Sequence, residues 1–205
     1  MAQMGEVFIV DDDSAVRDAL SLVLSLEGYH VRGFSDGAAF LSVARTHVPA
    51  CIVLDVHMPG RSGLDILKEL EADRYPAPIF VISGQGDIPM AVDAIRHGAL
   101  DFIEKPFEDD VLIEAIKRAA ERISDMPDGE TDLATIRARI GQLTERERQV
   151  LAAVVAGLPN KTIAYDLDIS PRTVEVHRAN VMAKMQARSL PELVRMTLAT
   201  GLENA

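Results

Sequence analysis

Short apolar runs alternate with amphipathic segments over the first half of the chain and a little beyond. The runs have the length and the β-branched content of strands, and they lie at residues 7–10, 51–54, 79–82 and 101–103, with a weaker candidate at 30–34. Between them, residues 14–27, 63–71 and 87–98 repeat apolar side chains every three or four positions, which predicts helices. This alternation predicts an α/β domain with a doubly wound, parallel five-stranded sheet.

The pattern changes beyond residue 123. Residues 124–132 (SDMPDGETD) are polar and contain Pro and Gly, as linkers do, and the stretch up to residue 140 can form a helical turn or two. From Leu143 onward no strand-like run appears. We therefore predict a first domain over residues 1–123, a linker over 124–140 and an all-α domain of four helices over 141–205.

Helix-start signals mark the first three helices of the second domain. They are a capping box of Thr144 and Glu147, Asn160 before residues 161–167, and the pair Ser170 and Pro171. The fourth helix is expected over residues 189–201. Counting around the third of these helices places Val174, Val181 and Met185 on its core side.

The composition indicates the class of protein. With 205 residues, of which 48% are hydrophobic, the chain can build cores of globular size. Its apolar runs are too short to span a bilayer and no signal peptide opens it, so we expect a cytoplasmic protein. Cys51 is the one cysteine, which excludes an intrachain disulfide, and we expect it to be buried.

The net charge of -11 is unevenly distributed. Residues 1–125 carry 11 Lys and Arg against 22 Asp and Glu, whereas residues 126–205 carry 10 of each kind. Within the second part, residues 170–188 hold four basic side chains and one acidic side chain. An acidic protein therefore contains one region that is compatible with phosphates.

Charged and hydroxyl side chains follow the predicted strands. They are Asp11, Asp12 and Asp13 after the first strand, Asp55 after the third, Ser83 after the fourth and Lys105 after the fifth. Strand ends meet at one edge of a parallel sheet, and carboxylates that meet there require a hard cation such as Mg²⁺. One carboxylate could then act as a nucleophile toward phosphorus, while Lys105 and Ser83 hold the phosphoryl oxygens. Taken singly, Asp13 is an ordinary N-cap, Ser83 a turn hydroxyl and Lys105 a solvated charge.

The segments VFIVDDD, CIVLDVHMPG, ISGQGD and DFIEKPF resemble the receiver domain of two-component response regulators, a flavodoxin-like fold, over residues 5–123. The resemblance implies that Asp55 accepts a phosphoryl group. It implies that Mg²⁺ is bound by the carboxylates of Asp11, Asp12 and Asp55 and by the backbone carbonyl of His57. It further implies that Lys105 pairs with the phosphoryl group, that Ser83 and Phe102 are switch residues, and that the Lys105–Pro106 peptide bond is cis.

Residues 143–185 resemble the four-helix LuxR-type helix-turn-helix domain, which binds DNA. The third helix bears small and polar side chains opposite its core side, and such a face fits the major groove. The expected DNA contacts are Lys161, Thr162, Ser170, Arg172, Thr173, Glu175, Val176, Ala179, Asn180 and Lys184. Of these, Lys161, Arg172 and Lys184 are expected at phosphates, and Glu175, Val176 and Ala179 at bases. The alternative is a protein-interaction module with a solvated basic face.

The two resemblances together imply a phosphorylation-dependent transcription factor. A sensor histidine kinase would phosphorylate Asp55, and the protein would then form a homodimer through a face that includes Met90, Arg96, Val111 and Glu114. The dimer would bind promoter DNA and act on RNA polymerase as an activator. Among such regulators the chain is most similar to those of nitrogen-fixation and microaerobic genes.

Two other functions compete with this interpretation. A Mg²⁺-dependent phosphohydrolase would share the aspartyl-phosphate, but His57 stands where such an enzyme needs a second Asp, and there is no lid insertion or P-loop. A receiver with only a protein-binding output is the other alternative. We expect a regulator rather than an enzyme.

Overall fold

The computed structural model describes residues 5–84, 87–124 and 129–201. By residue contacts the chain divides into two compact units. The first comprises Met1–Gly86 with His97–Asp125, and the second comprises Asp87–Arg96 with Met126–Ala205.

The first unit is built on a five-stranded, all-parallel sheet with strand order β2-β1-β3-β4-β5. The strands are β1 (Glu6–Val10), β2 (His30–Phe34), β3 (Cys51–Asp55), β4 (Ile79–Ser83) and β5 (Asp101–Glu104). All residues of β3 and β4 are buried, whereas β2 lies at an edge and buries only its last residue. The predicted strands and fold class are confirmed, including the weak candidate at 30–34.

Helices α1 (Ser14–Leu26) and α5 (Asp109–Ser124) contribute to one core of this unit. Leu20 and Leu24 of α1 and Leu112 and Ile116 of α5 belong to the same cluster of buried side chains as β1, β3 and β4. Each buried Leu or Ile stabilises the fold by about 1.5–3 kcal/mol relative to an exposed one. Cys51 lies in this core, and burial raises the pKa of its thiol to about 12.

Helices α2 (Gly37–Ala44) and α3 (Gly63–Ala72) pack against each other. The hydrophobic pattern did not predict α2, although Asp36 caps it by accepting a hydrogen bond from the Ala39 amide at 2.8 Å. Gly37 lies where the two helices meet, and a Cβ at this position would require the end of the Ile66 side chain to shift. Aromatic rings of Phe8, Phe34 and Phe40 meet edge to face nearby in the same unit.

The second unit is helical. It contains α4 (Ile88–Arg96), α6 (Gly129–Gly141), α7 (Glu145–Val155), α8 (Asn160–Asp166), α9 (Pro171–Met185) and α10 (Leu190–Ala199). The predicted capping box of α7 and the predicted N-cap Ser170 of α9 are present, and Ser189 is the N-cap of α10. Among the described residues, no helix is both long and apolar enough to cross a membrane.

Helix α6 lies in the segment that the sequence indicates as a linker. Its Ile136 and Ile140 pack against a core formed by Leu143, Leu151 and Met185, among others. A second core of the unit joins α7, α8 and α9. The boundaries at residues 123 and 140 stay a prediction.

Candidate functional site

The ends of β1, β3 and β5 bring together the charged residues that were predicted to meet. Asp11 is 1% exposed and Asp55 is 4% exposed. The Lys105 ammonium donates hydrogen bonds to Asp11 Oδ2 at 2.7 Å and to Asp55 Oδ1 at 2.8 Å. Asp12 is exposed, yet one of its carboxylate oxygens lies within 4.8 Å of oxygens of Asp11 and Asp55. Three carboxylates and one ammonium therefore share one pocket.

The electrostatics of this cluster favour a cation. Burial lowers the pKa of Lys105, but its hydrogen bonds to Asp11 and Asp55 outweigh burial and raise that pKa above its ordinary value. The lysine thus stays charged, and three carboxylates still exceed one ammonium. The donor set consists of oxygens alone, which is what Mg²⁺ prefers, so the residues present fit this ion.

Local hydrogen bonds hold the Asp11 carboxylate and the backbone of Asp11 and Asp12 in place. The Asp13 amide donates to Asp11 Oδ1 at 2.9 Å, and Asp13 itself caps α1 through the Ala15 amide at 2.8 Å. Arg17 donates to the carbonyl oxygens of Asp11 and Asp12. Asp13 is therefore the N-cap of α1, the role that the sequence predicts for it when it is taken singly.

Gly63 allows the closest approach in the site. It is the first residue of α3, and a Cβ there would collide with the carbonyl oxygen of Asp55. Any larger residue would push α3 away from the end of β3 or displace Asp55. Gly63 was not among the site residues expected from the sequence, and only its place eight residues after Asp55 hinted at the close approach.

The two expected switch residues lie on adjacent strands. Ser83 ends β4 and is fully buried, while Phe102 of β5 is half-buried. Ser83 Oγ lies 3.2 Å from Nδ1 of His57, whose side chain is exposed. The Ser83 carbonyl also accepts from the Lys105 amide at 2.8 Å, and the Lys105–Pro106 bond is cis, as the resemblance implied. Sequence reasoning gave His57 a main-chain role only and missed this side-chain contact.

Helix α9 of the second unit presents the expected two sides. Val174, Val181 and Met185 are buried, as predicted. The opposite side is exposed and includes Arg172, Glu175, Val176, Ala179 and Asn180. Lys161 and Thr162 of α8 are exposed as well. Ser170 and Thr173 are engaged with each other at the start of α9, where Ser170 accepts from the Thr173 amide at 3.1 Å.

Lys184, one of the expected phosphate contacts, has a protein partner in the structure. Its ammonium lies 2.6 Å from Glu147 Oε2, and Glu147 is 4% exposed. Hydrogen bonds from Lys184 and from the Thr144 amide lower the pKa of Glu147. The ion pair ties the end of α9 to the start of α7, and the Lys184 side chain is 36% exposed.

Asn160 differs from the expectation, and it contacts Arg178 of α9. Pro159, not Asn160, occupies the N-cap of α8, and Asn160 is its first helical residue. Asn160 Oδ1 accepts a hydrogen bond from the Arg178 guanidinium at 2.8 Å. Arg178 is partly buried, and burial lowers its pKa. This contact joins α8 to α9.

The residues expected at a dimer face differ in exposure. Arg96, Val111 and Glu114 are exposed, and Val111 is a large apolar side chain with 46% of its surface accessible. Met90 is half-buried. These exposures are those of one chain without a partner subunit.

Comparison with known families decides the identity of the chain. Residues 7–117 match the response regulator receiver domain, and residues 141–197 match the luxR family of bacterial regulatory proteins. The chain belongs to the two-component response regulators with a LuxR-type DNA-binding domain. Receiver domains generally bind Mg²⁺ at an acidic pocket, and in this response regulator that pocket is formed by Asp11, Asp12 and Asp55.

Individual relatives narrow the family further. The transcriptional regulatory protein FixJ of Rhizobium meliloti (strain 1021) is 56% identical over 195 residues, which is 95% of this chain and 96% of that protein. The response regulator protein TmoT of Ectopseudomonas mendocina is 43% identical, over 95% of this chain and 89% of its own. The crystal structure of full-length FixJ from B. japonicum is 46% identical with a TM-score of 0.57, and the match covers 98% of this chain and 99% of that one. The response regulator described here is therefore a FixJ-like transcription regulator.

Proposed function

We propose that Asp55 is the phosphoacceptor of this response regulator and that a sensor histidine kinase is the donor. One observation carries the proposal: two buried carboxylates, Asp11 and Asp55, share the Lys105 ammonium, with Asp12 within reach. Asp11, Asp12, Asp55 and the His57 carbonyl would hold Mg²⁺, which would supply positive charge to balance the phosphoryl oxygens.

The transfer itself uses residues of the chain. A carboxylate oxygen of Asp55 attacks phosphorus, the bond from phosphorus to the donor breaks, and the donor leaves with that electron pair. Lys105 exchanges its hydrogen bond with Asp55 for one with a phosphoryl oxygen. Ser83 turns toward the phosphoryl group, and Phe102 moves into the space that the hydroxyl vacates.

The proposed output is binding to promoter DNA. The exposed side of α9 would enter the major groove, with Glu175, Val176 and Ala179 at the bases. Phosphate contacts are assigned to Lys161 and Arg172, while Thr162, Ser170, Thr173 and Asn180 contribute polar contacts. Lys184 is assigned to folding instead, because Glu147 engages its charge.

The phosphorylated protein is proposed to be a homodimer that uses Met90, Arg96, Val111 and Glu114 and that acts on RNA polymerase as an activator. The similarity to FixJ extends the proposal to nitrogen-fixation genes. No catalytic turnover is proposed, since His57 occupies the position at which a phosphohydrolase needs an acid. As a DNA-binding regulator, it would act in the cytoplasm.

Intact-mass measurement after incubation with a small phosphodonor and Mg²⁺ tests the phosphoacceptor. We expect one phosphoryl group on the wild-type chain and none on Asp55→Asn or in the presence of a chelator. Asp13→Asn is the matched control, because Asn caps a helix as well as Asp does, so it should be labelled like the wild type. Labelling of Asp55→Asn at the wild-type level would overturn the assignment.

A further inference from the structure

The contact between Ser83 and His57 has no part in the roles assigned so far. Ser83 Oγ and His57 Nδ1 are 3.2 Å apart, although the two residues are 26 positions apart in the chain. The serine is fully buried at the end of β4, whereas the imidazole belongs to the exposed loop after β3. A solvent-facing side chain thus reaches back to a buried hydroxyl.

A buried hydroxyl is costly to leave without a hydrogen bond, so its partners bias its orientation. With the ring proton on Nε2, the Ser83 hydroxyl donates to Nδ1, and with the proton on Nδ1 the direction of donation is reversed. In both tautomers the contact favours the orientation seen here. Any movement of the hydroxyl toward Asp55 must break it.

We propose that His57 is a positioning residue that holds the Ser83 hydroxyl in its resting orientation and thereby weakens the binding of a phosphoryl group at Asp55. The inference rests on the proposed function, because it assumes that Ser83 turns toward that group. It concerns the side chain of His57 alone. Any substitution at this position keeps the backbone carbonyl that is assigned to Mg²⁺.

Titration of the full-length chain with beryllofluoride, a phosphoryl analogue, at saturating Mg²⁺ tests the proposal by calorimetry. His57→Ala removes the competing hydrogen bond, so we expect its affinity to rise about two- to tenfold, the range that one net hydrogen bond supports. His57→Asn should return the affinity to within about twofold of the wild type, because an Asn amide offers a hydrogen-bonding atom at about the same reach as Nδ1. His30→Ala, which removes an exposed histidine from β2, is the matched control and should have no effect.

The Ser83→Ala background separates positioning from a general structural effect. There, His57→Ala should leave the affinity unchanged, because no hydroxyl remains to be held. An unchanged affinity of His57→Ala in the wild-type background, or an equal increase with and without Ser83, would overturn the proposal. Failure of the proposed function has a different signature: wild type and Asp55→Asn would then bind beryllofluoride equally, or neither would bind, and the role of His57 would fall with it.

Discussion

The two regions that carry function in this response regulator place their charges in opposite ways. At the end of the sheet, Asp11, Asp55 and Lys105 come from three strands and lie within hydrogen-bonding distance, largely shielded from water. On α9 the side chains assigned to DNA are spread along one exposed face. The ion pair on that face, between Arg172 and Glu175, spans 3.7 Å and is exposed to solvent.

This difference predicts how each region responds to change. In a buried cluster every charge influences the others strongly, so the loss of one side chain should impair the function severely. On an exposed face each contact contributes separately, so losses should be graded and nearly additive. Lys184 is informative because it belongs to the DNA-binding unit but pairs with a buried carboxylate, like the residues of the sheet.

After loss of the phosphoacceptor itself, the largest effect is expected from Asp12→Asn in the carboxylate cluster. A metal ion contributes several kcal/mol to the stabilisation of charge in phosphoryl transfer, so weakened Mg²⁺ binding should slow labelling on the order of 100-fold. The initial rate of labelling by a small phosphodonor, measured by intact mass, checks this. Asp13→Asn should label at the wild-type rate. Equal slowing of both variants would contradict a metal site formed by Asp11, Asp12 and Asp55.

Smaller, separable effects are expected on α9. Val176→Ala and Glu175→Ala should change the preference at single base positions by about 1–3 kcal/mol. Lys161→Ala should weaken binding to all sequences alike and lower the salt slope by roughly one, because one phosphate contact is lost. Binding-site selection with each variant checks this. A changed motif for the lysine variant and an unchanged motif for Val176→Ala would show that another face of the helix enters the groove.

Lys184→Met should separate folding from DNA contact. The variant keeps the apolar stem but leaves Glu147 buried without its partner, so we expect a lower melting temperature and an unchanged salt slope. Lys161→Met, which alters an exposed lysine of α8, should show the opposite pattern. Thermal melts and salt titrations of both variants provide the measurements. A reduced salt slope for Lys184→Met would show that Lys184 contacts a DNA phosphate.

The smallest effect is expected in the dependence of stability on pH. The pKa of Glu147 is lowered from 4.5 by Lys184 and Thr144, so its contribution is fully present above about pH 4.5 and is lost as the pH falls through the lowered value. Glu147→Gln keeps a side chain that can complete the capping box but has no charge to lose. Urea unfolding at several pH values should therefore show a steeper acid loss for the wild type, and parallel curves would contradict the role of the ion pair.

The sheet and its acidic end were predictable from sequence because both depend on short-range patterns. Strand-length apolar runs gave the five strands, and parallel order brings their ends to one edge, so Asp11, Asp55 and Lys105 had to meet. Helix α2 was missed because Gly37–Ala44 is almost uniformly small or apolar and shows no alternation.

Contacts between distant residues lay beyond the reach of such patterns. A helical period shows which side of α9 Lys184 occupies, but it does not show that Glu147, 37 residues away, ends within 2.6 Å of its ammonium. The same holds for His57 and Ser83, and for Arg178 and Asn160. Each of these pairs depends on how two separate elements are placed in the folded unit.

The most direct test of the account is whether phosphate at Asp55 controls DNA binding by the full-length chain. Fluorescence anisotropy on a DNA site selected from a random pool, with and without a small phosphodonor and Mg²⁺, measures that coupling. We expect the phosphodonor to tighten binding of the wild type about 5- to 150-fold, the usual range of coupling between two sites, and to leave Asp55→Asn unchanged. Equal affinity of the wild type with and without phosphate, or an equal gain in Asp55→Asn, would contradict the account.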